Sequence, residues 1–432
     1  MFNSLNLPLV ECDILANRFC CQIITGSSRR FGKLFQALFG FSIDTNSKGI
    51  LHLCAPVHEL TQGITEAKES GQNSEALFFR QFNRRNKVKR IQKLYSPDFI
   101  RATLTKSDEA TRLSIDLVSE FLCKASKMIM RNLIAFIRLS RPLFLLGGLL
   151  LYALGALIAR YQGFAINVGL YWSGQLSVSA LQLMTHYLNE YWDVETDRLN
   201  QNRTPFSGGS GVLVRGELPR QVAFIAAMVC LAIAMAIASW LIFTHAVPSN
   251  VWIILLLSFI GAYFYSSPPL TLSSTGYGEL TTSIVVAGLV PALGHVLQTR
   301  QLSFLVLLVT APLVILHLAM LLAFEFPDFL SDEATGKRTL LVRVGRRTGA
   351  RLHTVLIFLA FSLVGVAARI GLPAQVALAI VTTSPLALLQ ISFVCRLQRG
   401  DPVSFTYLTF LGLLLFVLAA SFTALSFWTI GI

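Results

Sequence analysis

The sequence predicts an all-α, polytopic membrane protein with about nine transmembrane helices. Hydrophobic residues make up 54% of the 432 and charged ones only 14%, well below the usual quarter for a soluble chain. From Arg141 onward the apolar residues gather into stretches of spanning or near-spanning length, about 17–25 residues each. The polar separators between them are short, and their basic residues alternate from one side to the other.

Taken in order, the first span, near 142–160, follows Arg131, Arg138 and Arg141. The second, near 166–188, runs into an acidic cluster and a loop bearing Arg198, Arg203, Arg215 and Arg220. Spans near 221–245, 251–267, 280–298 and 302–326 come next, and the last of these ends in a second acidic cluster. Lys337, Arg338, Arg343, Arg346, Arg347 and Arg351 then precede spans near 352–371, 374–395 and 405–430. Loops facing the other way hold only Arg160, Arg300 and Arg369. The positive-inside rule therefore expects a cytoplasmic N-terminus, an outer C-terminus and both acidic clusters at the cytoplasmic face, which in a prokaryote is that of the inner (plasma) membrane.

Two parts follow from this pattern: an N-terminal extension over 1–130 and a membrane domain over 131–432. The extension carries mixed charge and a basic run from Arg80 to Arg90. No structure or chemistry is assigned to it, and it is in part a candidate for disorder. Glu11 and Asp13 argue against a transit peptide, and the basic run suits anionic lipid headgroups. Translation from Met128 or Met130 is an alternative. The seven cysteines show no CxxC or Cys/His ligand spacing, so neither zinc nor a disulfide framework is indicated. The net charge of +13 fits membrane topology and implies no nucleic-acid partner.

The acidic clusters carry the chemistry. Asn189-Glu-Tyr-Trp-Asp193-Val-Glu-Thr-Asp197 and Glu325-Phe-Pro-Asp328-Phe-Leu-Ser-Asp332-Glu333 hold eight of the eleven carboxylates after residue 130. Carboxylates beside a hydrocarbon-facing helix are costly and seldom lack a partner. Helical residues four apart share a face, so Asn189, Asp193 and Asp197 form one oxygen-bearing stripe, and Asp328 and Asp332 a second. Such ligands suit Mg²⁺, which is held by one or two carboxylates together with substrate phosphates. Ordinary solvated helix ends paired with arginines are the bland alternative.

With these two motifs the chain resembles the UbiA superfamily of intramembrane prenyltransferases over residues 131–432. The stretch from Asp332 to Gly345 is similar to the family's sequence after its second motif, and those from Arg203 through Gly208-Gly209-Ser210-Gly211 and from Tyr265 through Pro268-Pro269 to Gly276 and Gly278-Glu279 are most similar to its 1,4-dihydroxy-2-naphthoate polyprenyltransferase branch. The resemblance implies nine helices around a central cavity. It also implies Mg²⁺ held by Asn189, Asp193, Asp197, Asp328 and Asp332, with the four aspartates as catalytic residues, and prenyl transfer from a polyprenyl diphosphate to an aromatic acceptor within the lipid bilayer. Relatives often carry Asn where this chain has Phe324, beside Glu325, and a basic loop where it has Thr271 to Thr275. Diphosphate neutralisation then falls to Arg203, Lys337 and Arg338, with Asn189 in the same subsite.

Other residues stand in two readings. The Gly208–Gly211 run is either a close backbone approach to an anion or a flexible loop. Glu190, Glu195 and Glu325 are expected to pair with loop arginines, with acceptor deprotonation the alternative, and His186 is expected to be a packing residue. Dihydroxynaphthoate is the first acceptor expected; 4-hydroxybenzoate, homogentisate, chlorophyllide and a lipid glycerol are the others. The rival class is a cation- or proton-coupled transporter, which favours acids near the midplane.

Overall fold

The computed structural model describes residue 124, residues 126–245 and residues 247–431. The extension over 1–130 lies outside the described residues except for its last few positions. Among the described residues there is no strand.

Nine helical passages follow one another from Pro142. The first is α1 (Pro142–Tyr161) and the second α2 (Val168–Trp192), continued after a one-residue interruption by the short α3 (Val194–Leu199). Then come α4 (Arg220–His245) and α5 (Ser249–Tyr263). The fifth passage is α6 (Gly278–Ser283), a π-helical turn (Ile284–Leu289) and α7 (Val290–Thr299). After α8 (Phe304–Ala334) and the short α9 (Leu340–Val344) come α10 (Arg346–Arg369), α11 (Ala374–Val381) with α12 (Ser384–Arg399), and α13 (Phe405–Ile430).

Seven of these passages are long and apolar enough to cross a membrane. The other two depart for physical reasons. α5 has 15 residues, about 22 Å of helix against a hydrocarbon core of about 30 Å. α2 is long enough, but Gln182, Thr185, His186 and Asn189 dilute its apolar character because they face an internal cavity and not lipid. α8 errs the other way. Its 31 residues make about 46 Å of helix, longer than the hydrocarbon core is thick, and Asp328 and Asp332 lie in its last two turns. The fifth passage widens just before Pro291, which has no N–H to offer the carbonyl of Ala287, and π-helical turns often arise at such points beside functional sites.

The passages close on themselves. α1 packs against α7 and α13, and α8 against α10 and α13, so the last passage returns to the first. The α1–α7 contact is made backbone to backbone. A Cβ on Gly155 would run into the carbonyl of Pro291, and one on Gly294 into the carbonyl of Tyr152. Small residues permit this approach between helices in lipid, where dispersion and not the hydrophobic effect holds helices together. Gly155→Val is therefore expected to destabilise the bundle by about 1–3 kcal/mol, the usual cost of overpacking. Gly147→Val, where no atom lies within 4 Å of the added Cβ, should be tolerated. Thermal unfolding of both variants in detergent checks this, and equal midpoints would show that the α1–α7 contact is not tight.

Candidate active site

A cavity of about 320 Å³ lies between α1, α2, α5 to α8 and α13. Its wall is of two kinds. Toward the ends of α2 and α8 it is lined by Asn189, Asp193, Asp197, Asp328, Asp332 and Lys337, and elsewhere by apolar residues such as Leu151, Val178, Leu293, Met320 and Val417. All five oxygen-bearing residues of the two predicted stripes therefore face one space.

The first stripe survives the interruption at Asp193. The Asp193 N–H donates to the carbonyl of Asn189 at 2.9 Å and the Asp197 N–H to that of Asp193 at 2.8 Å, so the four-residue repeat that aligns the side chains is kept. Asn189 Nδ2 donates to Asp193 Oδ2 at 2.6 Å. The same oxygen receives Lys337 Nζ at 2.7 Å, an ion pair in which both side chains are largely buried. Burial disfavours the Lys337 ammonium, but Asp193 and Asp332 outweigh it and hold its pKa well above the ordinary lysine range. Lys337 thus carries its charge between the two stripes.

A loop from the first stripe serves the second. Asp328 accepts from Asn200 Nδ2 at 2.6 Å, with Ser207 and Gly208 beside it. Ser210 donates to Glu190 through its N–H and through Oγ, the latter at 2.8 Å. Gly208, Gly209 and Gly211 have φ of 77°, 69° and 74°, left-handed values that glycine adopts without strain. At Gly209 an added Cβ would also strike Asp197 Oδ2, so that carboxylate would have to move. Of the two readings of this run, close backbone approach is the one the geometry supports, and the anions approached are the protein's own carboxylates.

Several placements differ from expectation. Of the spare glutamates only Glu195 pairs with an arginine, Arg198 at 3.0 Å. Glu190 is taken by Ser210, and Glu325 Oε2 accepts the Leu341 N–H at 2.8 Å; a buried carboxylate is satisfied as well by backbone N–H groups, without desolvating a second charge. Lys337 lines the cavity, whereas Arg203 and Arg338 do not. Arg203 Nη2 donates to the carbonyl of Asp197 at 3.0 Å, and Arg338 is exposed. Of the Thr271 to Thr275 loop, Ser273 alone reaches the cavity. His186 does line it, and its Nδ1 lies 3.3 Å from the Ser140 carbonyl. Sequence reasoning gave no site role to Arg141, whose guanidinium lies at the cavity over the Phe144 ring, 4.6 Å from its centroid, or to Asn200. The Arg-Pro pair at a span's start was the available signal for Arg141.

The donor chemistry fits a divalent cation. Burial, with Asp193 and then Glu190 beside it, pushes the Asp197 carboxyl up to about 8, the mark of acids crowded without enough positive charge. No three Asp, Glu, His or Cys side chains among the described residues converge on one point tightly enough to hold a metal alone. That suits an ion completed by substrate phosphates and water, as Mg²⁺ commonly is.

Comparison with known proteins agrees in kind. Residues 144–414 match the UbiA prenyltransferase family. The chain is 24% identical over 223 residues to the 1,4-dihydroxy-2-naphthoate octaprenyltransferase of Bacillus subtilis (strain 168), covering 50% of this chain and 67% of that one. It is 26% identical over 240 residues to the homogentisate phytyltransferase of Synechocystis sp. (strain ATCC 27184 / PCC 6803 / Kazusa), covering 53% and 74%. Among solved structures, a digeranylgeranylglyceryl phosphate synthase shares the fold with a TM-score of 0.50 at 14% identity, over 69% of this chain and 99% of that one.

The Gly-rich loop yields a test. Gly209→Ala and Gly216→Ala both place an L-residue at positive φ, at a cost of about 1–2 kcal/mol, but Gly216 has no atom within 4 Å of the added Cβ. Divalent-cation binding measured by calorimetry should weaken at least tenfold in Gly209→Ala and stay near wild type in Gly216→Ala. Equal affinities would show that the loop does not position Asp197.

Proposed function

Because the chain belongs to the UbiA prenyltransferase family, we propose that it transfers a polyprenyl group from a polyprenyl diphosphate to an aromatic acceptor, first 1,4-dihydroxy-2-naphthoate, with Mg²⁺ as cofactor. It is a prenyltransferase and an integral, multi-pass membrane protein. One observation carries the reading: two oxygen-bearing stripes from distant parts of the chain line a single cavity whose remaining wall is apolar. That pairs a site for a charged head with a groove for a hydrocarbon tail.

Asn189, Asp193, Asp197, Asp328 and Asp332 would hold Mg²⁺. When bound, the ion supplies Lewis-acid stabilisation of the charge on the departing diphosphate. The four aspartates fix the leaving group's position, and Lys337 and Arg141 reach it from the cavity wall with charge-assisted hydrogen bonds. Arg203 acts through the carbonyl of Asp197, and Arg338 meets diphosphate at the exposed rim. The prenyl carbon gains positive charge as the C1–O bond opens, so its surroundings must lack water. Leu151, Val178 and Leu293 provide that, with Phe324 and Phe416 close enough to the cavity for cation–π stabilisation.

Both relatives named above are named for aromatic acceptors, which supports an aromatic acceptor here. The Ser273 hydroxyl is a suitable polar partner for one. Dihydroxynaphthoate stands first because the branch-like segments point to it; 4-hydroxybenzoate, homogentisate, chlorophyllide and a lipid glycerol are the alternatives. The transporter reading gives way to family membership. The arginine-rich loops around α3 and α9 support a cytoplasmic site, at the inner membrane in a prokaryote.

Asp193→Ala and Asp328→Ala are each expected to lower transfer at least a hundredfold, roughly 3 kcal/mol of lost transition-state stabilisation, with insertion unchanged. Radiolabelled transfer in membranes measures this, and near wild-type rates in both would refute the site. In the same assay excess chelator should abolish turnover, and among dihydroxynaphthoate, 4-hydroxybenzoate and homogentisate the first should have the highest kcat/KM. Equal rates on all three would remove the acceptor assignment.

A further inference from the structure

Glu279 of α6 and Glu325 of α8 also line the cavity, only 6% and 9% exposed. Each gives one oxygen to the start of α9. Glu279 Oε1 accepts the Leu340 N–H at 3.2 Å and Glu325 Oε2 the Leu341 N–H at 2.8 Å. Because those N–H groups belong to adjacent residues, the two carboxyl groups stand side by side. With both ionised, Glu279 Oε2 is a buried oxygen with no donor. The partner this oxygen lacks is a donor, which a hydroxyl in the cavity could supply.

Their depth gives the pair a use. Glu325 precedes Asp328 by three residues, so along α8 it lies about 4.5 Å deeper, on the side toward the apolar wall. With diphosphate held at the Asp328–Asp332 level and the tail pointing inward, this is the level of the reacting prenyl carbon, hence of the acceptor ring.

We propose that Glu279 and Glu325, side by side at this level, act as a pair that accepts the hydroxyl proton of the aromatic acceptor. The inference rests on the prenyl-transfer reading above. As the hydroxyl proton passes to the pair, the oxygen lone pair drives a ring carbon onto C1 of the donor. The C1–O bond breaks and its electrons leave with diphosphate. The ring carbon then loses its own hydrogen as a proton to the departing diphosphate, and the pair returns its proton to the acceptor oxygen. One proton is released per turnover and the pair is restored.

Glu279→Gln and Glu325→Gln separate this role from the clamp on α9. Gln keeps a carbonyl oxygen for the Leu340 or Leu341 N–H but cannot accept and return the proton. Each variant should lose at least tenfold in kcat, and the double variant at least a hundredfold, on whichever of the three acceptors wild type uses. An acceptor fluorinated beside the hydroxyl, and so already ionised at the assay pH, should restore most of the rate. Geranyl S-thiolodiphosphate, which binds with Mg²⁺ but does not ionise readily, should keep its Kd within twofold. Wild-type transfer in the double variant, or a loss that the ionised acceptor does not restore, would overturn the pair's role and leave only the clamp. Transfer lost instead in His186→Gln, with the double variant active, would move the role across the cavity. If wild type fails to bind the thiolodiphosphate with Mg²⁺, the donor-site reading itself falls.

Discussion

Carboxylates of α2, α3 and α8 face one another across a single cavity, and containing their mutual repulsion is the demand from which most of the local architecture follows. Charge of one sign confined in a poorly solvated space must be balanced or hydrogen-bonded. Lys337 balances part of it from the loop before α9. Asn200 satisfies Asp328, with Ser207 and Gly208 beside it, and Ser210 satisfies Glu190, so the segment between α3 and α4 is shaped by the acids it serves. The glycines at 208, 209 and 211 let its backbone come that close.

The apolar half of the cavity depends on a different feature, the fifth passage. Gly155 and Gly294 bring α1 and α7 into direct backbone contact, while the π-helical turn over Ile284–Leu289 directs Val285 and Val286 to the cavity. Tight packing on one side of this passage and a widened turn near its middle leave space beside a helix that is otherwise well buried. The same passage begins with Glu279, so part of the apolar cavity wall and one of the two buried glutamates belong to one element.

What the sequence made legible was whatever repeats locally. Four-residue spacing placed Asn189, Asp193, Asp197, Asp328 and Asp332 on common faces, and long apolar runs located all nine passages. The direction a loop side chain takes has no such periodicity. Arg203, Lys337 and Arg338 are chemically alike on paper, yet Lys337 alone of the three points into the cavity. The expectation that Glu190 and Glu325 would find arginines failed because their partners, Ser210 and Leu341, offer backbone N–H groups, which every residue but proline carries. The meeting of Glu279 with Glu325 joins positions far apart in the chain, and no local pattern announces it.

The separation of the two motifs also has a consequence for how the protein is made. Asp193 and Asp197 leave the ribosome about 130 residues before Asp328, an interval on the order of ten seconds at ordinary elongation rates. Throughout that time α2 must be threaded into the bilayer with Asn189, Asp193 and Glu190 at its end while Lys337 is still unsynthesised. The nascent chain therefore depends on the translocation machinery or on interfacial water to shelter that polar end. Only when α8 and the loop behind it have been laid down can Lys337 reach Asp193 and the carboxylates of the two motifs line one cavity.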